Sequence, residues 1–247
     1  MIFTIANKEL RSMFASPLAW VVLAFLQFVL ALIFLKQIDS FLMVQAQLAR
    51  TPNAPGLTEI AIVPMFGVAS MVLLMSVPLL TMRLVSEERR NQTMALLMSA
   101  PVSMTEIILG KFLAMVMFLA LINLLILFMA TSLLAGGPLD MGLLAANLVG
   151  LMLLGCSFAA IGLFISCLTT HPVVAAILSL AVFLGLWIIN IAANDPQSWL
   201  HLLSLLKRFE GFMNGSIAVT DLIYFGLLTA MFIILSIRRL DSDRLHA

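Results

Sequence analysis

The chain has 247 residues, of which 63% are hydrophobic and only 10% charged, with a formal net charge of +1. A soluble domain is about 45–50% apolar, so this chain has too little polar surface to cover itself in water. The near-neutral balance gives no argument for a nucleic-acid partner, and the apolar excess makes lipid its natural solvent.

The first sixteen residues predict an amphipathic helix. Phe3, Ala6, Leu10, Met13 and Phe14 fall on one helical face, with Lys8, Arg11 and Ser12 on much of the other. Ser16-Pro17 favours a turn, which fits a helix lying flat on a membrane surface before the first span. The alternative is a simple extension of that span. The apolar run that follows exceeds a signal h-region and has no convincing small-x-small site, so no cleavable signal is expected.

A helix needs about 20 apolar residues to cross the hydrocarbon core, and unpaired backbone is not tolerated there. Six segments qualify: Leu18–Leu35, Ile60–Met82, Ile107–Leu134, Leu143–Leu168, Val173–Ile191 and Leu222–Ile237. Pro64 and Pro78 are expected to kink the second. Asn123 and Asn190 interrupt apolar runs, and each either bonds across helices or caps a carbonyl of its own helix. Cys156 and Cys167 would lie about 16 Å apart along one helix, too far for a disulfide.

Six spans put both termini on one side. That side would hold Lys8, Arg11, Arg83, Arg89, Arg90, Lys111, Arg238, Arg239 and Arg244, against Lys36, Arg50, Lys207 and Arg208 on the other. The positive-inside rule then makes both termini and the Arg83–Glu106 loop cytoplasmic. On the outer side, 192–221 is the longest connection. Within it, Trp199–Phe212 has helical spacing but is too short and charged to span, which predicts an interfacial or re-entrant helix.

The cytoplasmic loop concentrates charge. Five of the eight residues in Arg83-Leu84-Val85-Ser86-Glu87-Glu88-Arg89-Arg90 are ionic. Ser86 is the expected N-cap, with Glu87 and Glu88 favoured in the first turn by the helix dipole. Met94, Leu97 and Met98 continue the helical pattern to Pro101. Ser103 and Glu106 have the spacing of a capping box for the third span, and Lys111 is placed to snorkel at its inner end. An element with charge at one end and apolar residues through its middle suits a cytosolic partner. The plainer alternative is a loop that fixes topology and contacts anionic lipid.

Chemistry-bearing patterns are absent from the sequence. Gly136-Gly137-Pro138 lacks the Lys-Ser/Thr ending of a phosphate-binding loop, so no ATP site is expected. His171, His201 and His246 are dispersed, no nucleophile–base pair stands out, and the span interiors nearly lack ionisable groups. That counts against a metal site, an intramembrane enzyme and an autonomous ion-driven carrier.

Four passages resemble a known family. They are Asn7-Lys8-Glu9-Leu10-Arg11 with Phe14 and Ser16-Pro17; Ser86 to Thr93 with Leu96-Leu97 and Ala100-Pro101-Val102-Ser103; Gly110-Lys111-Phe112; and Phe209, Gly211, Phe212, Gly215 and Ile217 with Asp221 and Tyr224. In these the chain resembles the membrane subunit of bacterial ABC transporters of the type-two exporter class. It looks most like the permease linked to gliding-motility systems and, more distantly, that of the nitrous-oxide-reductase maturation system. It departs at Gln92 and Ala95, where relatives usually have a glycine and an acid.

The resemblance implies an all-α fold forming one transmembrane permease domain over 1–247, in a bacterial inner membrane. It implies an elbow helix over 1–16 carrying Lys8, Glu9 and Arg11, and a coupling loop over 83–105. Within that loop Glu87, Glu88, Arg89, Arg90, Thr93, Leu96 and Leu97 would dock on a separate ABC ATPase subunit, which would bind ATP and Mg. Further implied partners are a second copy or a paralogous permease, and a membrane protein with a periplasmic domain. The function implied is coupling of ATP hydrolysis to export or mechanotransmission. The alternative from a different class is a membrane scaffold or assembly factor that moves no cargo.

Overall fold

The computed structural model describes residues 1–48, 56–94, 102–135, 139–192 and 204–246. These form helices α1 (Ile2–Ala15), α2 (Pro17–Leu48), α3 (Val63–Thr81), α4 (Ser86–Arg90), α5 (Met104–Ser132), α6 (Met141–Leu168), α7 (Pro172–Ala192), α8 (Leu205–Met213) and α9 (Val219–His246). A π-helical turn, Thr58–Ile62, leads into α3. Among the described residues six segments are long and apolar enough to cross a membrane, and the protein is an all-α polytopic membrane protein.

The helices run past the predicted limits. The first was expected to end at Leu35 and continues to Leu48. The last was expected to end at Ile237 and continues through Arg238, Arg239 and Asp243 to His246. Apolar runs measure the lipid-facing length of a helix, whereas charged ends can stay helical beyond it. Pro64 sits in the first turn of α3, where its missing N–H costs nothing, while Pro78 is inside the helix.

α6 is the centre of the bundle. It packs against α3, α5, α7, α8 and α9, and two thirds of its span window is buried, against 11% for α9. Helices in lipid gain little from apolar burial alone, so close approach and polar ties decide how they associate. At Gly150 a Cβ would lie 2.6 Å from Cβ of Phe212, so only glycine lets α8 settle onto α6 there. Asn123 Nδ2 meets Met152 Sδ at 3.4 Å, tying α5 to α6. Ser204 Oγ donates to Asn190 Oδ1 at 2.8 Å, tying α7 to the start of α8. Both asparagines therefore reach across helices.

The two ends of the bundle differ. Thr58 accepts from the Asp140 backbone N–H at 2.9 Å at the end away from the termini. α8 lies at that same end, capped by Ser204, with Arg208 bonded to Asp221 at 2.7 Å and stacked 4.3 Å from the Tyr224 ring centroid. Of the predicted outer helix, Leu205–Phe212 is helical and extends to Met213, while 199–203 lies outside the described residues. The opposite end carries α1, α4 and the tail of α9.

Candidate functional site: the ionic node around α4

α4 forms because the chain must turn after α3 and its first amides have a partner waiting. Ser166, near the end of α6, accepts from the backbone N–H groups of Val85 and Ser86 at 3.2 and 3.1 Å, and donates to the Met82 carbonyl at 3.2 Å. Ser86 is therefore not the N-cap. Val85 holds that position, and the buried Ser86 hydroxyl donates back to the Met82 carbonyl instead. A side chain from another helix has replaced the local cap, which sequence spacing cannot reveal.

The helix is also shorter than expected. It ends at Arg90, and Asn91, Gln92 and Thr93 form a turn in which Gln92 has φ +57°. This left-handed conformation favours glycine. It falls at the position where the chain departs from the glycine of the resembled family. Met94 is again helical and buried. Leu96 and Leu97, expected at the docking surface, lie outside the described residues, as does Pro101. Ser103 and Glu106 do form the capping box of α5.

Lys111 gives the sharpest correction. It does not snorkel to the surface: its side chain is only 1% exposed and its Nζ contacts Glu88 at 2.8 Å and Glu9 at 3.2 Å. Lys8 adds contacts to Glu9 at 3.0 Å and Glu88 at 3.7 Å. One ammonium from α5 thus binds carboxylates from both α1 and α4. Burial opposes ionisation of Glu9, but Lys111 and Lys8 outweigh it and hold the carboxyl below its usual range. Partial burial likewise opposes the charge on Lys8, yet Glu9 and Glu88 raise its pKa.

The approach that allows this node is set by Gly110. A Cβ there would stand 2.7 Å from Cβ of Ile5, so α1 crosses α5 at backbone distance beside Lys111. α1 buries Ala6 and Glu9 and turns at extended Ser16 into α2. Its predicted face is partly corrected: Ala6, Leu10, Met13 and Phe14 face the bundle, but Phe3 is exposed. Glu9 is buried because its charge is spent on Lys111, while Arg11 stays exposed.

Two further ties complete the site. Arg83 makes a bidentate pair with Glu87, at 2.7 and 3.0 Å, and reaches Ser16 Oγ at 2.7 Å. Arg89 bonds Asp243 near the end of α9. Thus Glu87, Glu88 and Arg89 are engaged within the chain, and among the described residues of the loop the exposed tip is Arg90-Asn91-Gln92-Thr93. A polar pocket of about 230 Å³ separates α1 from α4, lined by Lys8, Glu9, Ser12, Arg83, Glu87 and Glu88 among others. Among the described residues, no group of three His, Cys, Asp or Glu could hold a metal ion. The arrangement supplies charge pairing between α1, α4, α5 and α9.

A six-span bundle with ionic ties gathered at its ends defines the class as a polytopic membrane protein. The particular family follows from comparison: the model for ABC-2 family transporter proteins matches residues 3–244, and the chain belongs to that family. It is a membrane-embedded permease subunit of the ABC type. No curated protein matches the chain.

Proposed function

We propose that this permease couples ATP hydrolysis by a separate ABC ATPase subunit to export or mechanotransmission, with α4 as its coupling helix and α1 as its elbow helix. The observation that carries the reading is Lys111, a buried cation on a span that binds carboxylates of both α1 and α4. A displacement imposed on the loop tip would be shared at once by α1 and passed to α5. The exposed Arg90–Thr93 tip is the surface that meets the ATPase, with Glu87, Glu88 and Arg89 holding the tip in place. Lys8 on α1 lines the same polar pocket as Asn91 and Thr93, and Arg11 is exposed on the same helix. The positive-inside distribution supports placing this end, with both termini, in the cytoplasm of a bacterial inner membrane. A second permease, identical or paralogous, completes the transporter, and the sequence passages named above resemble the gliding-motility type.

The test acts at the exposed tip. Arg90→Glu combined with Gln92→Glu leaves the internal ion pairs intact, unlike any change at Glu88. Co-purification with the partner ABC ATPase should fall about tenfold, equivalent to roughly 1.4 kcal/mol of binding. Insertion and thermal stability should match wild type. Unchanged co-purification together with unchanged ATP hydrolysis by the complex would overturn the assignment of α4.

A further inference from the structure

We infer that Asp243 is the positioning residue through which movement of α4 reaches the last span, α9. The inference rests on α4 being the ATPase contact and adds the route by which one particular span responds. Arg89 Nη2 donates to Asp243 Oδ2, joining residues 154 apart in the chain. The other oxygen of Asp243 faces Arg239 Nη2 at 3.6 Å, one turn earlier on α9, so the carboxylate is aimed from its own helix as well. Arg89 and Asp243 are both largely shielded, at 14% and 25% side-chain exposure, which protects the pair from solvent screening.

The other ties of α4 lead elsewhere. Lys111 joins it to α5 and α1, Ser166 to α6, and Arg83 at its root to Ser16 before α2. α6 is the most buried span, whereas α9 is the least, with 11% of its window enclosed. Within the bilayer α9 leans on α6 and α5 mainly through apolar contacts, with a Ser157–Thr229 hydroxyl pair at 3.2 Å and a Ser236–Cys167 hydrogen bond among its ties to α6. Apolar contacts between lipid-soluble surfaces resist sliding weakly, while a charge-assisted bond fixes both distance and direction. α9 is an unbroken helix of 28 residues, about 42 Å long, so a shift at Asp243 is carried along it. Charge at 238, 239, 241, 243 and 244 keeps this end at the membrane surface, where α4 lies. The apolar run alone, ending at Ile237, gives no reason for the helix to continue to that contact.

The test uses the permease in complex with its ATPase, with Cys156 and Cys167 replaced by alanine and spin labels at Leu227 on α9 and Phe28 on α2. Both label sites are exposed. In the parent protein the distance between labels should change between the nucleotide-free and vanadate-trapped states. Asp243→Asn should abolish that change and lower permease-dependent ATP hydrolysis about tenfold, a typical inter-site coupling, while the ATPase still co-purifies. Asp243→Glu should preserve the response, and Arg244→Gln serves as a control on the same turn. A full distance change in Asp243→Asn would overturn the inference, as would loss of ATPase association in that variant, which would make the pair a support for docking rather than transmission. Absence of ATPase association in the parent protein would instead overturn the reading of α4 on which this one depends.

Discussion

Lys111 shows how one residue can determine the behaviour of an end of the bundle. An ammonium buried beside a span is tolerated only because two carboxylates surround it, and those carboxylates are tolerated only because of it. Removing one partner of such a set typically costs about 3–5 kcal/mol, because the remaining charges stay buried without compensation. Lys111→Met should therefore destabilise the purified protein by about that amount in denaturant unfolding, and loosen α1 from α5. Neutralising the partners as well, in Lys111→Met with Glu9→Gln and Glu88→Gln, should recover most of the loss. A single variant within about 1 kcal/mol of wild type would show that the ion pairs contribute nothing net. The sequence placed Lys111 correctly at the start of the third span but not its partners. Burial of a lysine is decided by which helices come together over it, and those helices begin about 100 residues apart in the case of Glu9.

At the scale of the element, α4 and its turn carry the main departure from local expectation. Sequence spacing predicts a helix from Glu87 through Leu97 with Ser86 as its cap, yet the described backbone turns after Arg90 with Gln92 at φ +57°. An L-residue in that region costs roughly 1–2 kcal/mol relative to right-handed helix, and a β-branched one more. The order of stability at this position should thus be Gly, then Gln, then Val. Gln92→Gly should gain roughly 0.5–1 kcal/mol after its own unfolded-state entropy is counted, and Gln92→Val should lose at least about 1 kcal/mol. Thermal unfolding of the three proteins checks this, and equal stability of the Gly and Val variants would contradict the turn. Other elements were legible because their signals are local. The Ser103–Glu106 capping box needs only four consecutive residues, and the Ser16-Pro17 turn needs only the proline ring. The cap of α4 was not legible, since its acceptor is Ser166 on another helix.

For the whole molecule, the count of spans and the common end of the termini follow from contacts as well as from hydropathy. Glu9, Glu88, Lys111 and Asp243 belong to one ionic cluster or its immediate tie, so α1, the root of α5 and the tail of α9 share an end. Asn214 is exposed at the opposite end, after α8. With half-buried Cys156 and buried Cys167 replaced, Asn214→Cys should react with a membrane-impermeant maleimide in intact cells. Gln92→Cys should react only after permeabilisation. The reverse pattern would invert the orientation, and labelling of both in intact cells would break the six-span topology.

The sequence by itself determined the solvent, the six spans, the polar ends and the position of the loop that carries charge. These are legible because lipid imposes a one-dimensional demand: about 20 apolar residues per crossing, with charge left at the ends. Only the tertiary structure decided what the charges do. It engaged Glu87, Glu88 and Arg89 within the chain, left Arg90–Thr93 exposed, buried Lys111 between α1 and α4, and brought Asp243 to Arg89. Each of those outcomes depends on which helices approach within bonding distance. In lipid that approach is set by small residues such as Gly110 and by a few long-range polar pairs, and neither leaves a periodic trace in the chain.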